Sequence, residues 1–234
     1  MSTSTSSQTT RGVVRWCIRE TMGIVMAGVI LFLGAGRWDW LWGWATVIVL
    51  ALWVGATALA VIPKNPALLA ERTHPRKGSK AWDTAIMSIV GIIILAFCVV
   101  GGLDVRYGWT TGFPMVAQIA GVILAVLGYA LVVWATASNA FFSLIVRIQK
   151  ERGHSVATGG PYQFVRHPGY VGSIVAYVGT PIMLGSWGAI VLGVVTALLI
   201  IVRTAFEDKT LLQELDGYKD YAARVCYRLL PGVW

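Results

Sequence analysis

Six stretches of the chain are nearly free of charged side chains: residues 21–36, 41–62, 82–103, 114–137, 170–184 and 187–202. A bilayer-spanning helix needs about 20 apolar residues, with a lower limit near 17. The second, third and fourth stretches meet that length. The first is short, as are the last two, which are separated only by Gly185-Ser186 and so read as a tight helical hairpin. The pattern predicts an all-α, polytopic integral membrane protein with about six transmembrane helices. The first stretch is not read as a secretory leader, because no small-residue cleavage site ends it and a second apolar stretch follows at once. The opening MSTSTSSQTT is expected to be a disordered tail.

Composition agrees. Of the 234 residues 56% are hydrophobic and 13% charged, against about 25% charged in soluble domains. Mean hydropathy is +0.69. The placement of charge adds topology. Of the 19 Lys and Arg, 17 fall before the first stretch, in 63–81, in 138–168 or from Arg203 onward. Arg37 and Arg106 fall in the alternate loops. With six crossings the positive-inside rule puts both termini and every basic loop in the cytoplasm. The membrane is expected to be the plasma (inner) membrane. Trp38, Trp40, Trp42, Trp44, Trp109 and Trp187 gather toward the other face, as an interfacial aromatic belt does. The net charge of +8 then reflects topology and attraction to anionic lipid headgroups. No basic stripe with interleaved aromatics suggests nucleic acid.

Three domains are expected: a cytoplasmic tail over 1–20, a four-helix transmembrane scaffold over 21–137, and a more polar region over 138–234 made of a loop, a helical hairpin and a C-terminal cap. Cys17, Cys98 and Cys226 have the spacing of neither a disulfide framework nor a zinc site. His74, His154 and His167 form no metal-binding pair, so no metal is expected.

Polar residues concentrate after Ser138. In GPYQFVRHPGY, residues 160–170, Pro168 suits the first helical position, where its missing N–H costs nothing. His167 is then the approximate N-cap, Arg166 lies just outside, and Tyr170 falls in the first turn. At the far end of the hairpin Arg203 and Glu207 stand four apart, on one helical face, with Asp208 beside them. The hairpin brings the start of one helix beside the end of the next. Arg166, His167 and Tyr170 therefore converge on Arg203, Glu207 and Asp208. Each cluster alone has a plain structural reading, as snorkelling or an i,i+4 ion pair. Together at one interface they point to a site, because ionisable groups at span ends are costly. Residues 147–160 form a glycine-rich loop placed to fold over a ligand. Residues 211–225, interrupted at Gly217, form an amphipathic cap. No G-x-G-x-x-G lies between a strand and a helix, which excludes a Rossmann cofactor domain.

The segment GPYQFVRHPGYVG resembles the signature of the isoprenylcysteine carboxyl methyltransferase family, which is related to membrane phospholipid methyltransferases. A second family signature is matched by Arg203, Glu207-Asp208, Leu211, Gly217, Tyr218, Tyr221 and Arg224-Val225. The acidic pair is Glu-Asp where the family has Glu-Glu, and Asp216 replaces a Phe. The resemblance implies a methyltransferase that uses S-adenosyl-L-methionine without a Rossmann fold. By the same resemblance His167 and Tyr170 contact the cofactor, and Glu207 and Asp208 hold its amino or ribose groups. The 154–162 loop, with Val156 and Tyr162, covers it. Arg166 and Arg203 lie near the transferred methyl and steer the acceptor. That acceptor is expected to be lipidic or hydrophobic, a prenylated-cysteine carboxylate first among candidates. A thiol or phospholipid methyltransferase and an NADPH-dependent membrane reductase of the sterol-reductase type are the alternatives.

Overall fold

The computed structural model describes residues 2–73 and 78–234, with side chains from residue 7 onward. His74, Arg76 and Lys77, which enter the histidine and charge patterns above, lie outside the described residues. Among the described residues eight α-helices follow one another: α1 (Ser2–Ala35), α2 (Leu41–Val61), α3 (Pro66–Glu71), α4 (Ala81–Tyr107), α5 (Met115–Ala137), α6 (Pro168–Leu184), α7 (Trp187–Glu214) and α8 (Tyr218–Arg224). Five of them are long and apolar enough to cross a membrane, while α6, with 17 residues, is a shorter apolar helix. The described residues contain no strand. This is the all-helical integral membrane architecture that the hydropathy pattern predicts.

Two boundaries differ from the sequence reading. The Ser/Thr-rich start is helical from Ser2 and continues into the first apolar stretch without a break. Once a helix is nucleated, each added residue gains a backbone hydrogen bond, and Trp16 anchors this end by packing on Val61, Leu68 and Leu69. The last span is not short. Hydropathy falls at Arg203, yet α7 runs on to Glu214. The polar residues do not end the helix, because Arg203 and Asp208 find buried partners on other elements.

The helices α5 and α6 form the closest pair. Gly121, Ala125 and Gly128 face Gly172, Ala176 and Gly179. A Cβ on Gly128 would stand 2.6 Å from the Ala176 nitrogen, and one on Gly172 would stand 2.5 Å from the Gly128 carbonyl oxygen. Small residues at this seam let two backbones meet, which drives association where lipid removes the hydrophobic contribution. The expected hairpin joins α6 to α7. Gly185 takes the left-handed conformation at φ 73°, and Ser186 caps α7 by accepting from the Ala189 N–H at 3.2 Å.

The basic loops meet at one end of the bundle. Arg147 pairs with Glu71 at 2.8 Å, Arg19 donates to the Arg72 carbonyl at 2.6 Å, and Lys80 pairs with Glu214 at 2.6 Å. At the other end Arg106 donates to the Leu33 carbonyl at 2.7 Å. Trp38, Trp44, Trp109 and Trp187 there are exposed, whereas Trp40 is buried in the core beside Phe32.

Candidate active site

The site lies where the start of α6 meets the middle of α7, at the end that carries the basic loops. Pro168 is the first residue of α6 and His167 its N-cap residue. The His167 carbonyl accepts the Tyr170 N–H at 3.0 Å. The His167 side chain makes no cap hydrogen bond, so its ring is left for other contacts. It stacks on Tyr170 with centroids 5.6 Å apart and planes 4° from parallel.

Behind that stack sits a buried ion cluster centred on Asp208, which is fully buried. Arg166 grips it with two bonds, Nε to Oδ1 at 2.8 Å and Nη2 to Oδ2 at 3.0 Å. Arg228 donates Nε to Oδ2 at 2.7 Å, and the Tyr218 hydroxyl donates to Oδ1 at 2.9 Å. The His167 Nε2 is 3.2 Å from Oδ1. A buried carboxylate is stable only when paired and hydrogen-bonded, and here every partner is supplied. Burial, with the neighbouring Asp208 charge, pushes the Tyr218 hydroxyl well above its ordinary range, so it stays a donor. Burial likewise pushes Tyr221 up to about 12, and its hydroxyl donates to the Tyr162 carbonyl at 2.7 Å.

The third nitrogen of Arg166 donates to the Val225 and Cys226 carbonyls at 3.0 and 2.9 Å. The backbone adds two more ties, from the Arg166 N–H to the Tyr227 carbonyl and from the His167 N–H to the Arg228 carbonyl. The segment after α8 is thus laid against the entry to α6.

In front of the stack is a cavity with about 760 Å³ of free space, its open mouth included. Its walls include Tyr162, Arg166, His167, Tyr170 and Glu207, with Val156 from the covering loop and Tyr218 and Tyr221 from α8. Phe141, Phe142, Ile145 and Val146 also line it. Glu207 accepts a hydrogen bond from the Tyr170 hydroxyl through Oε2. Among the described residues its Oε1 has no partner. A carboxylate oxygen left free beside an aromatic stack suits a cationic ligand. Phosphate recognition would need spare guanidinium or ammonium groups. Arg166 is fully engaged with Asp208 and carbonyls, and Arg147 is engaged with Glu71 and Glu151.

Six of the eight residues singled out by sequence therefore face one cavity: Arg166, His167, Tyr170, Glu207, Tyr162 and Val156. Asp208 stands behind its wall, and so does Arg203. Arg203 donates Nε to Asp83 at 2.7 Å and Nη2 to the Leu144 carbonyl at 3.1 Å, with its guanidinium 5.0 Å over the Tyr170 ring. Sequence reasoning missed Asp83 and Arg228. Asp83 carried a signal, as a lone carboxylate in the first turn of an otherwise apolar span. Arg228 carried none.

Comparison with known proteins matches residues 116–217 to the family model described as phospholipid methyltransferase. The chain is 34% identical over 122 residues to protein-S-isoprenylcysteine O-methyltransferase B of Arabidopsis thaliana, spanning 51% of this chain and 59% of that one. It is 33% identical over 116 residues to the rat protein-S-isoprenylcysteine O-methyltransferase, spanning 45% and 38%. Over 65 residues it is 40% identical to methanethiol S-methyltransferase 1 of Bradyrhizobium diazoefficiens, spanning 27% and 22%. The expected likeness to the isoprenylcysteine methyltransferase family is borne out. Asp83 and Arg228 both lie outside the matched residues 116–217.

Proposed function

We propose, from the match of residues 116–217 to the phospholipid methyltransferase family model, that the chain is an integral membrane methyltransferase. The donor is S-adenosyl-L-methionine and the acceptor a lipidic or hydrophobic carboxylate, such as that of a prenylated cysteine. The observation that carries this reading is the free Oε1 of Glu207, set in a cavity with the His167–Tyr170 stack.

The residues fit such a donor. When bound, it supplies a sulfonium methyl already activated for displacement. The protein's part is then positioning and exclusion of water. Glu207 holds the cationic side of the donor. His167 and Tyr170 present a flat face, and the Tyr170 hydroxyl keeps the Glu207 carboxylate in one orientation. Tyr162 and Val156 close the cavity from the loop side. The acceptor carboxylate needs no strong general base. Arg203 lies behind Tyr170 and acts on the acceptor side through the position of that ring. Arg166 and Asp208 serve as the frame that holds His167, not as ligands of the donor. The lack of spare basic groups weighs against NADPH and a reductase.

The basic end of the bundle is assigned to the cytoplasm of the plasma (inner) membrane, where a polar donor meets an acceptor arriving from the bilayer. A thiol acceptor is the second reading, favoured by the likeness to the methanethiol enzyme. The test is methyl-labelled S-adenosyl-L-methionine with purified protein and separate prenyl-cysteine, phospholipid and small-thiol acceptors. Label is expected in the prenyl-cysteine carboxylate. Label in the thiol alone would select the second reading, and label in no acceptor with no donor bound would sink both.

A further inference from the structure

Arg203 and Glu207 stand one turn apart on α7, the spacing at which Arg and Glu ordinarily pair. They do not pair. The Arg203 Nε goes instead to Asp83, 120 positions earlier and on α4. Asp83 is fully buried and Arg203 is 4% exposed. The second oxygen of Asp83 accepts the Val146 N–H at 2.8 Å, which fixes the carboxylate from the loop side.

We propose that Asp83 is a specificity-determining residue of this site. By holding Arg203 it keeps the Glu207 carboxylate unneutralised, and so makes the cavity favour a cationic ligand over its neutral counterpart. Asp83 is absent from the cavity walls, so it is a positioning residue that acts through Arg203. The inference rests on the methyl-donor reading above.

The charges decide the argument. Asp83 and Arg203 cancel each other and leave the charge of Glu207 facing the cavity. Remove the Asp83 charge, and Arg203 becomes a buried cation without its partner, which is strongly unfavourable. The nearest remedy is Glu207, one turn away on the same helix. That pairing would occupy the free Oε1 and abolish the negative face. The loop carbonyl of Leu144 and the Tyr170 ring cannot take the place of an anion.

S-adenosylmethionine and S-adenosylhomocysteine differ by one methyl group and one positive charge, so their relative affinities read the charge of the cavity. Both are titrated calorimetrically into the purified full chain, and the ratio of the two Kd values is compared across variants. Asp83→Asn is expected to shift the ratio against the sulfonium by about tenfold, as Glu207→Gln does. Asp83→Glu is expected to keep the wild-type ratio. So is the double variant Asp83→Asn with Arg203→Gln, which exchanges the ion pair for two amides and leaves Glu207 free. That double variant decides the matter if the single one does not fold. The proposal is overturned if Asp83→Asn weakens both ligands by the same factor, or if the double variant loses the preference as Glu207→Gln does. Wild-type protein that binds neither ligand overturns the methyl-donor reading itself, and this inference with it.

Discussion

At the residue scale the site depends on groups whose geometry no similar side chain reproduces. Arg166 uses all three nitrogens, two on Asp208 and one on carbonyls of the segment after α8. A lysine offers one ammonium and no fork. Arg166→Lys is expected to destabilise the protein by about 2–4 kcal/mol, seen as a lower melting temperature in detergent, with donor affinity lost in parallel. Equal stability would show that the cluster does not hold the fold. His154 gives a second test. Its Nδ1 accepts the Gln149 N–H at 3.2 Å and its ring stacks on Phe141. Burial, then the neighbouring Arg152 and Arg147 charges, lower its pKa. The unfolded loop therefore binds the proton more readily than the folded one. The loop's stability is full above the unfolded value, near 6.5, and falls as pH drops through it. Amide protection across residues 144–157, taken relative to the intrinsic exchange rate at each pH, is expected to fall below about pH 6, and His154→Gln to remove that dependence.

At the element scale the sequence disclosed the helices whose ends carry backbone signals. Pro168 marked the start of α6 and Gly185-Ser186 the hairpin, because proline and glycine act locally. The end of α7 was not legible, since what carries the helix past Arg203 is an aspartate on α4. The same holds for the site. The gathering of His167, Tyr170 and Glu207 followed from the hairpin alone. The partition of the charges, with Asp208 given to Arg166 and Arg203 given to Asp83, depends on contacts 42 and 120 residues apart in sequence. No i,i+4 rule reaches that far. The α5–α6 seam also belongs to this scale. Gly128→Val would drive a side chain into the α6 backbone. It is expected to cost at least about 3 kcal/mol by overpacking, whereas Gly55→Val on α2, with open space at that position, is expected to leave the melting temperature unchanged.

At the scale of the whole molecule, charge placement sets orientation. Cys226 is exposed and Cys98 buried, so the native thiols report topology without new labels. In a Cys17→Ser background, a membrane-impermeant maleimide is expected to modify inverted vesicles and to leave intact cells unmodified. Labelling of intact cells would invert the assigned topology. The first four spans are more than a support, because α4 supplies the aspartate that sets the charges of α7. Hydropathy hid this, as one carboxylate scarcely alters the average over a span of 27 residues.

The strip of backbone from Tyr227 to Arg228, paired with Arg166 and His167, bears on how the protein is made. Chains emerge from the ribosome N-terminus first. His167 and Asp208 are therefore synthesised before the residues that complete their surroundings. Until Arg228 arrives, Asp208 lacks one of its two arginine partners, and the His167 N–H lacks the carbonyl that accepts it. The bundle can insert span by span, but the frame around Asp208 is completed late, when the segment after α8 packs against the entry to α6.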